Sequence, residues 1–346
     1  MADNRPVLVA LPLNQETPDI IAAAAELARR LEAPLAVVHA VTIQRLETEA
    51  RGQLEPVLAP LRDAGIEIQD VVVAVGEPAR ETILTAARLA AQMIVTGGGR
   101  PATVRRWVVG SVAEAIVRSS TVPVWVARGE PPSGRPLLCP VDLSPESQLG
   151  LGAALRMARL FQLPLSVITV IHEDAMQRGL AKDEDEALRQ VEALLARQDL
   201  DGLDVTIHVV TGDPAKRIVD AADEAGLLVI ASCGYDPLVR QWLGPVTSRA
   251  LRHSVCSALT IRHLGEGHEE RMRAVTNLAD LYEQARKLLE DGVTDRALPM
   301  LQNLAEQAPT NAAIQQAFAI ALERVGRSVE ATSRRELAAL LRDRID

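Results

Sequence analysis

One recurrence constrains this chain more than any other feature. Gly76-Glu77-Pro78-Ala79 and Gly212-Asp213-Pro214-Ala215 lie 136 positions apart (212 − 76), and each follows a run rich in β-branched residues, Ile66–Val75 and Val205–Thr211. Proline at the first helical position loses no hydrogen bond, because that N–H has no partner in a helix. Each copy therefore reads as strand, turn and helix. Other landmarks recur in the same order: Pro34 with Pro164 at an offset of 130 (164 − 34), Gly110 with Gly244 at 134 (244 − 110), and Trp107 with Trp242 at 135 (242 − 107). Ordered recurrence at a nearly constant offset marks two copies of one unit. The paired tryptophans are expected to pack in equivalent pockets.

Within each copy, strands and helices alternate. Short apolar runs predict strands at Pro6–Leu11, Leu35–Val41, Ile66–Val75, Ala91–Val95 and Val122–Ala127, and then at Leu137–Val141, Leu165–Ile171, Val205–Thr211, Leu227–Ala231 and Ser257–Arg262. Helical spacing of Ile20, Ile21, Ala24, Leu27, Ala28 and Leu31 predicts an amphipathic helix between the first two strands. Ile43–Ala64 also reads as helix, with Pro56 and Pro60 expected to kink it or end it early. A charged segment at Lys182–Glu186 opens a further helix. Alternation of this kind gives an α/β fold of two flavodoxin-like, doubly wound parallel-sheet modules. The expected boundaries are 1–128 for the first module, 129–135 for a linker (GEPPSGR), 136–264 for the second and 265–346 for a helical tail.

Composition narrows the chemistry. Hydrophobic residues are 48% of the 346 and aromatics only 2%, so the core is built from Ala, Val, Leu and Ile. A net charge of −9 disfavours general binding to nucleic acid or to an anionic membrane. Apolar runs stop well short of the ~20 residues that span a bilayer, and no leader precedes the first strand, so the expected place is the cytoplasm. Cys139, Cys233 and Cys256 are sparse and lack C-x-x-C spacing, which fits a reducing compartment. Cys233 beside Gly234 reads first as an ordinary small residue and second as a redox-sensitive thiol. The six histidines show no ligand spacing, so no resident metal is expected.

Two glycine-bearing stretches stand between a strand and a helix, Thr96–Ser111 and Ala231–Pro245. Such turns present backbone N–H groups to an anion. The strand–GxPA–helix turns, these loops and the terminal strands together resemble the universal stress protein family in tandem form, over about Pro6–Arg262. In ATP-binding members the loop reads G-x2-G-x9-G-[S/T]. The resemblance places Gly97 at the first glycine and Gly110 with Ser111 at the last pair; the middle glycine falls on Arg100, beside Gly98 and Gly99. In the second module Gly234 and Gly244 match the second and third glycines, Ala231 stands at the first and Pro245 at the Ser/Thr position. The family's strand-end aspartate, which reaches adenosine, is Pro12 in the first module and Asp142 in the second.

The resemblance implies an adenine nucleotide, ATP or AMP, with Mg only as the nucleotide's companion. Gly97, Gly98, Gly99, Arg100, Gly110, Ser111, Val112 and Val41 form the first-module site, and Asp142, Gly234 and Gly244 the remnant of the second. Charge favours the first: Arg100, Arg105 and Arg106 flank it, whereas Asp236 lies within the second loop. Without a ligand, Gly97–Gly99 is a tight turn, Ser111 an N-cap, and Asp142 a cap for the turn at Ser144. No nucleophile stands with its base, so at most slow ATP hydrolysis is expected, and no catalytic residue is named.

After Gly265 the composition turns to Ala, Leu, Glu, Gln and Arg. Helices are expected at Asn277–Glu290, Arg296–Gln307, Asn311–Val325 and Ser328–Arg342. Gly292 and Gly326 lie 34 apart (326 − 292), the tetratricopeptide spacing. About two such repeats fit, fewer than the ~3 that stand alone, so the tail is expected to dock on the body or on a second copy, making a homo-oligomer or recruiting a protein partner. Two functions follow: a stress-response regulator that binds a nucleotide, or a nucleotide-free adaptor acting through its tail.

Overall fold

The structure is a computed structural model that describes residues 5–41, 46–98, 111–171, 184–231, 244–262, 281–282, 284–307 and 312–343. It divides into two compact units, Met1–Leu264 and Gly265–Asp346.

The first unit is built on one ten-stranded sheet. Its strands are β1 Val7–Ala10, β2 Leu35–Val41, β3 Ile68–Val75, β4 Met93–Gly97, β5 Val124–Ala127, β6 Leu137–Pro140, β7 Leu165–Ile171, β8 Val205–Thr211, β9 Leu227–Ala231 and β10 Ser257–Ile261. The order is β3-β2-β1-β4-β5-β10-β9-β6-β7-β8. Every neighbouring pair is parallel except the central one: β10 runs antiparallel to β5, with Ala258 opposite Val126, Leu259 opposite Trp125 and Thr260 opposite Val124. Two five-stranded parallel modules thus join edge to edge through their last strands.

Helices cover both faces. α1 (Thr17–Leu31), α2 (Glu47–Asp63), α5 (Pro145–Phe161) and α6 (Glu184–Leu195) pack on one; α3 (Pro78–Arg88), α4 (Ser111–Ser119), α7 (Pro214–Ala222) and α8 (Pro245–His253) pack on the other. Alternation along each strand feeds two cores. Val7 and Val9 point into the first with Ile20, Leu27, Leu54 and Leu58, while Leu8 and Ala10 point into the second with Ile94, Ile116 and Val126. Both cores continue across the two modules.

The repeated G-[E/D]-P-A turns have a plain physical basis. Gly76 has φ 155° and Gly212 φ 142°, a region open to glycine and costly for other residues. The acid that follows caps the helix: Glu77 accepts from the N–H groups of Ala79 and Arg80 at 3.0 and 2.7 Å, and Asp213 from those of Ala215 and Lys216 at 2.9 and 3.2 Å.

Of the two outcomes expected for Pro56 and Pro60, an early end is ruled out: α2 runs through both to Asp63. Both prolines are exposed, as is Gly52 four positions before Pro56. The carbonyls that lose their partners lie on the wet side of the helix, and Leu54, Leu58 and Leu61 anchor the dry side.

Polar contacts bind the central seam. Arg128, just past β5, is 5% exposed and extends its guanidinium into the other module, donating to Leu251 O at 2.5 Å and Cys256 O at 3.4 Å. Its main chain exchanges hydrogen bonds with Ser257 Oγ. Arg262, 134 positions on (262 − 128), returns the contact by donating to Arg118 O. Thus each module's last strand ends in an arginine that reaches the C-terminal part of the other module's last helix, where the helix dipole favours a cation. Trp125, fully buried on β5, stacks on Phe161 of α5 with ring centroids 5.8 Å apart.

The second unit is all-helical in its described residues: a stretch over 284–290, then α9 (Thr294–Gln307), α10 (Ala312–Arg324) and α11 (Ser328–Asp343). Its core joins Ala285, Leu289, Leu301, Leu304, Phe318 and Leu322. Gly292 and Gly326 take left-handed φ of 78° and 80° between helices, as turn glycines do.

Candidate functional site

A parallel sheet gathers the carboxyl ends of its strands at one edge, and a crevice opens where successive connections leave in opposite directions. In the first module that point lies between β1 and β4; in the second, between β6 and β9. The antiparallel seam sends the two crevices to opposite edges of the shared sheet.

At the first crevice Leu11 follows β1, and its carbonyl meets His39 Nδ1 at 2.7 Å. Pro12 is exposed, and Leu13 turns the chain with φ 51°. Asn14 then organises the entry to α1: its Oδ1 accepts from Glu16 N at 2.8 Å, and its N–H donates to Thr17 Oγ1 at 3.0 Å. From β4 come Gly97 and Gly98. A Cβ built on Gly97 would fall 2.5 Å from Glu16 Oε2 and 3.1 Å from Ile20 Cδ1. On Gly98 it would fall 2.6 Å from Arg128 Nε. Both glycines therefore make room for a side chain, a charged carboxylate on one side and a buried guanidinium on the other. The Gly98 N–H donates to Ala127 O at 3.1 Å, continuing the β4–β5 ladder, and so does not face an anion. Val41, buried at the end of β2, gives its carbonyl to Gly76 N at 2.9 Å. α4 opens at Ser111, followed by half-buried Val112, and the first N–H groups of a helix lack partners within it. Gly99, Arg100, Arg105, Arg106, Trp107 and Gly110 lie outside the described residues.

The second crevice keeps the same frame with different occupants. Thr169 Oγ1 donates to Val141 O at 2.5 Å, in the place of His39. Asp142 is exposed, and its Oδ1 accepts from Ser144 N at 3.0 Å and from Ser144 Oγ at 2.5 Å. Ser144 in turn caps α5 by accepting from Ser147 N at 3.2 Å. Asp142 thus shapes the turn it stands in. Ala231, at the first-glycine position, packs on Gly150 of α5: a Cβ there would lie 3.4 Å from Ala231 N and 3.7 Å from Ala231 Cβ. Gly244 is the N-cap of α8 and Pro245 its first residue, which removes one N–H from the helix start. Cys233, Gly234, Asp236 and Trp242 lie outside the described residues.

Burial governs the titratable groups that stand out. It lowers the pKa of Arg128 to about 10, with Cys256 and Glu16 pulling the other way. It raises Cys139 to about 12 and Cys256 to about 11, so both remain thiols at neutral pH. Among the described residues no three His, Cys, Asp or Glu side chains group as metal ligands do. No described helix is long and apolar enough to cross a membrane.

Sequence reasoning passes over Glu16 and Arg128. Glu16 hides in a polar turn. Arg128 sits at the edge of the linker composition, although its recurrence as Arg262 at the constant offset was a usable signal.

Comparison with known proteins agrees with this architecture. The family described as Universal stress protein family matches residues 3–128 and again 134–262. Universal stress proteins of Mycobacterium tuberculosis and Mycobacterium bovis are 28% identical over 173 residues, which is 46% of this chain and 58% of theirs. The matched stretch thus spans little more than half the length of those relatives. Among solved structures, a functionally unknown protein from Pseudomonas aeruginosa PAO1 aligns with a TM-score of 0.63 at 16% identity, covering 81% of this chain and 98% of its own. A universal stress protein from Archaeoglobus fulgidus aligns at 0.59 and 19%, covering 74% and 96%. At such identities these structures speak to the fold.

Proposed function

This chain belongs to the universal stress protein family, and from that premise we propose that it is a stress-response regulator that binds an adenine nucleotide at the first module's crevice and acts through protein contacts. The observation that carries this reading is the place of the loop, which leaves β4 at the switch point between β1 and β4 and leads into the start of α4 at Ser111. Gly99, Arg100 and Gly110 continue the loop in sequence and would supply the remaining N–H groups and a guanidinium. Other universal stress proteins have been solved in complex with dAMP and with cAMP; for this chain the reading stands on its own loop. Mg would enter only with a polyphosphate.

Calorimetric titration of the full chain with adenosine, AMP and ATP tests it. A saturable signal that Gly110→Pro abolishes and Gly244→Pro leaves intact is expected. No heat at millimolar nucleotide from a folded protein refutes it.

A second reading is favoured by particular observations: the Gly98 N–H is engaged, Asp142 Oδ1 is engaged, and Pro12 stands where an acid is missing. It makes the modules a nucleotide-free scaffold whose tail assembles with a second copy or a protein partner. Among the described residues Val329, 86% exposed on α11, is its most accessible large apolar side chain. Under this reading Val329→Asp lowers the assembly mass in sedimentation; an unchanged mass speaks against that face.

A further inference from the structure

The ten-stranded sheet ends in two strands that occupy equivalent places, β3 in the first module and β8 in the second. Each is paired on one side only, and an edge of that kind invites another strand unless something blunts it. β3 is blunted. Its register with β2 slips at Leu35/Ala36, Asp70 puts a charge on the strand with Arg88 3.8 Å away, and Arg51 Nη1 donates to Val71 O at 3.3 Å. β8 lacks these devices. It runs in unbroken register with β7 from Val205 to Thr211, and its sequence VTIHVVT holds no proline, acid, lysine or arginine.

The ladder shows which groups face outward. Leu165 N donates to Asp204 O at 2.8 Å and Gly212 N to Ile171 O at 3.0 Å, so the even-numbered residues of β8 point their N–H and C=O groups at β7. Val205, Ile207, Val209 and Thr211 point theirs away from the sheet. Thr211 O is taken by Arg217 Nε at 3.0 Å. Among the described residues nothing takes the N–H and C=O groups of Val205, Ile207 and Val209. Val205 and Ile207 are half-buried against the core that α6 covers, and Val209 is half-buried on the same side of the strand. Thr206 and His208 are exposed on the other side.

Two copies of β8 laid antiparallel about Ile207 match at every position. Val205 meets Val209 of the second copy and Ile207 meets Ile207, each pair exchanging both its hydrogen bonds through the groups left open. On the exposed side Thr206 stands opposite His208 of the second copy. No charge opposes a like charge, and the apolar row stays on one side of the joined sheet. The protein joins its own two modules by the same geometry, with β5 antiparallel to β10.

We propose that β8 is a self-association edge: two copies of this chain pair through it about a two-fold axis at Ile207 and continue the ten-stranded sheet from one copy into the other. A second copy fits this edge better than an unrelated strand, because one sequence supplies both sides of every pair.

The test is sedimentation of the full chain over a range of concentrations, with thermal unfolding to confirm that each variant folds. Wild type is expected to form a dimer. Thr206→Lys with His208→Lys sets like charges opposite each other in both exposed pairs and is expected to weaken the dimer about tenfold or more. It also brings the net charge of −9 nearer to zero, which alone would ease association, so a loss reports the local pairs. Thr206→Lys with His208→Glu sets opposite charges across the same pairs and is expected to hold the dissociation constant within about threefold of wild type. Ile207→Pro removes an outward N–H while leaving the ladder with β7 intact, as edge prolines do, and is expected to dissociate the dimer. A wild-type chain that stays monomeric at the highest concentration, leaving the edge to some other strand, overturns the proposal. So does a dimer that both T206K/H208K and I207P leave intact, or one that only Val329→Asp dissociates, which places the contact in the tail. Equal weakening by T206K/H208K and T206K/H208E overturns the pairing about Ile207.

Discussion

The two modules solve one packing problem in opposite ways. Where the strand before the loop meets the helix after the first strand, the first module sets Gly97 against Ile20 and the second sets Ala231 against Gly150. The missing side chain is on the strand in one and on the helix in the other. In both, the space it frees is filled by the partner element, so strand and helix stay close. The first glycine of the loop is therefore a helix-packing residue, since a Cβ at that position points at α1 or α5. Alanine at 231 does not by itself close the second crevice to an anion. What sets the second crevice apart is Pro245 at the helix start and Asp142 drawn into its own turn.

The seam between the modules gives the sharpest break of this near-symmetry. Trp125 crosses from β5 to stack on Phe161, and the position 134 residues later is Leu259. Arg30 lies over the same Phe161 ring at 4.6 Å. Trp125→Ala is expected to lower stability by about 3–5 kcal/mol, the range for emptying a buried aromatic site. Trp125→Phe should cost far less, because it also removes a buried indole N–H that has no partner among the described residues. Denaturant unfolding of the two variants decides this; equal losses would show that volume has little to do with the position.

The strand–helix exchange can be reversed by mutation. Gly150→Ile gives α5 the residue that α1 has, but its outer carbons would need the space held by Ala231. Overpacking of this kind costs about 1–3 kcal/mol. Adding Ala231→Gly should recover a good part of that, as coupled neighbours do in a double-mutant cycle. Additive effects would break the comparison. Gly150→Ala, with its nearest contact at 3.4 Å, should be neutral or raise stability by up to about 1 kcal/mol through helix propensity.

Two of the arginines that cross the seam, Arg128 and Arg252, should differ as their burial does. Arg128→Met deprives the Leu251 and Cys256 carbonyls of a buried donor, an expected loss of about 1–3 kcal/mol. Arg252→Ala breaks an exposed pair with Glu114 at 2.8 Å and should cost less than about 1 kcal/mol. The order of the two unfolding midpoints is the readout, and a reversed order would move the seam's anchor to the surface pair.

The repeat was legible because its signals are local. β2, β7, β8 and β9 agree to the residue with the apolar runs, each bounded by a proline, a glycine or a tight turn. β4 is displaced by two residues, to Met93–Gly97, because the ladder with β5 carries on into the glycines, which a propensity rule excludes. α2 shows the converse: local rules break a helix at Pro56 and Pro60, and tertiary burial of Leu54, Leu58 and Leu61 holds it together. For the candidate site, sequence marks the glycines that follow β4 and the residues that open α4. It does not show that Gly98 gives its N–H to Ala127, that Asp142 folds onto Ser144, or that Glu16 turns inward. Those are choices among partners that only the folded sheet brings within reach.

The smallest expected difference lies in the two helix caps. Asp213 and Glu77 cap α7 and α3 in the same manner, but Asp213 also accepts from Arg249 Nη1 at 2.9 Å. That contact, with the N–H of Lys216 behind it, lowers the pKa of Asp213 from its usual value of 3.8. A carboxyl whose pKa is depressed by folding stabilises the native state once pH is above its unfolded value, and the contribution fades as pH falls through the folded value. Asp213→Asn should therefore weaken the protein modestly at neutral pH, since the group is exposed, and the gap to wild type should narrow as pH drops below about 4. Adding Arg249→Gln should remove most of this pH dependence, because the ion pair is its largest source. A gap between wild type and D213N that persists unchanged into acid would assign the cap to geometry alone, and would make the two modules' turns equivalent.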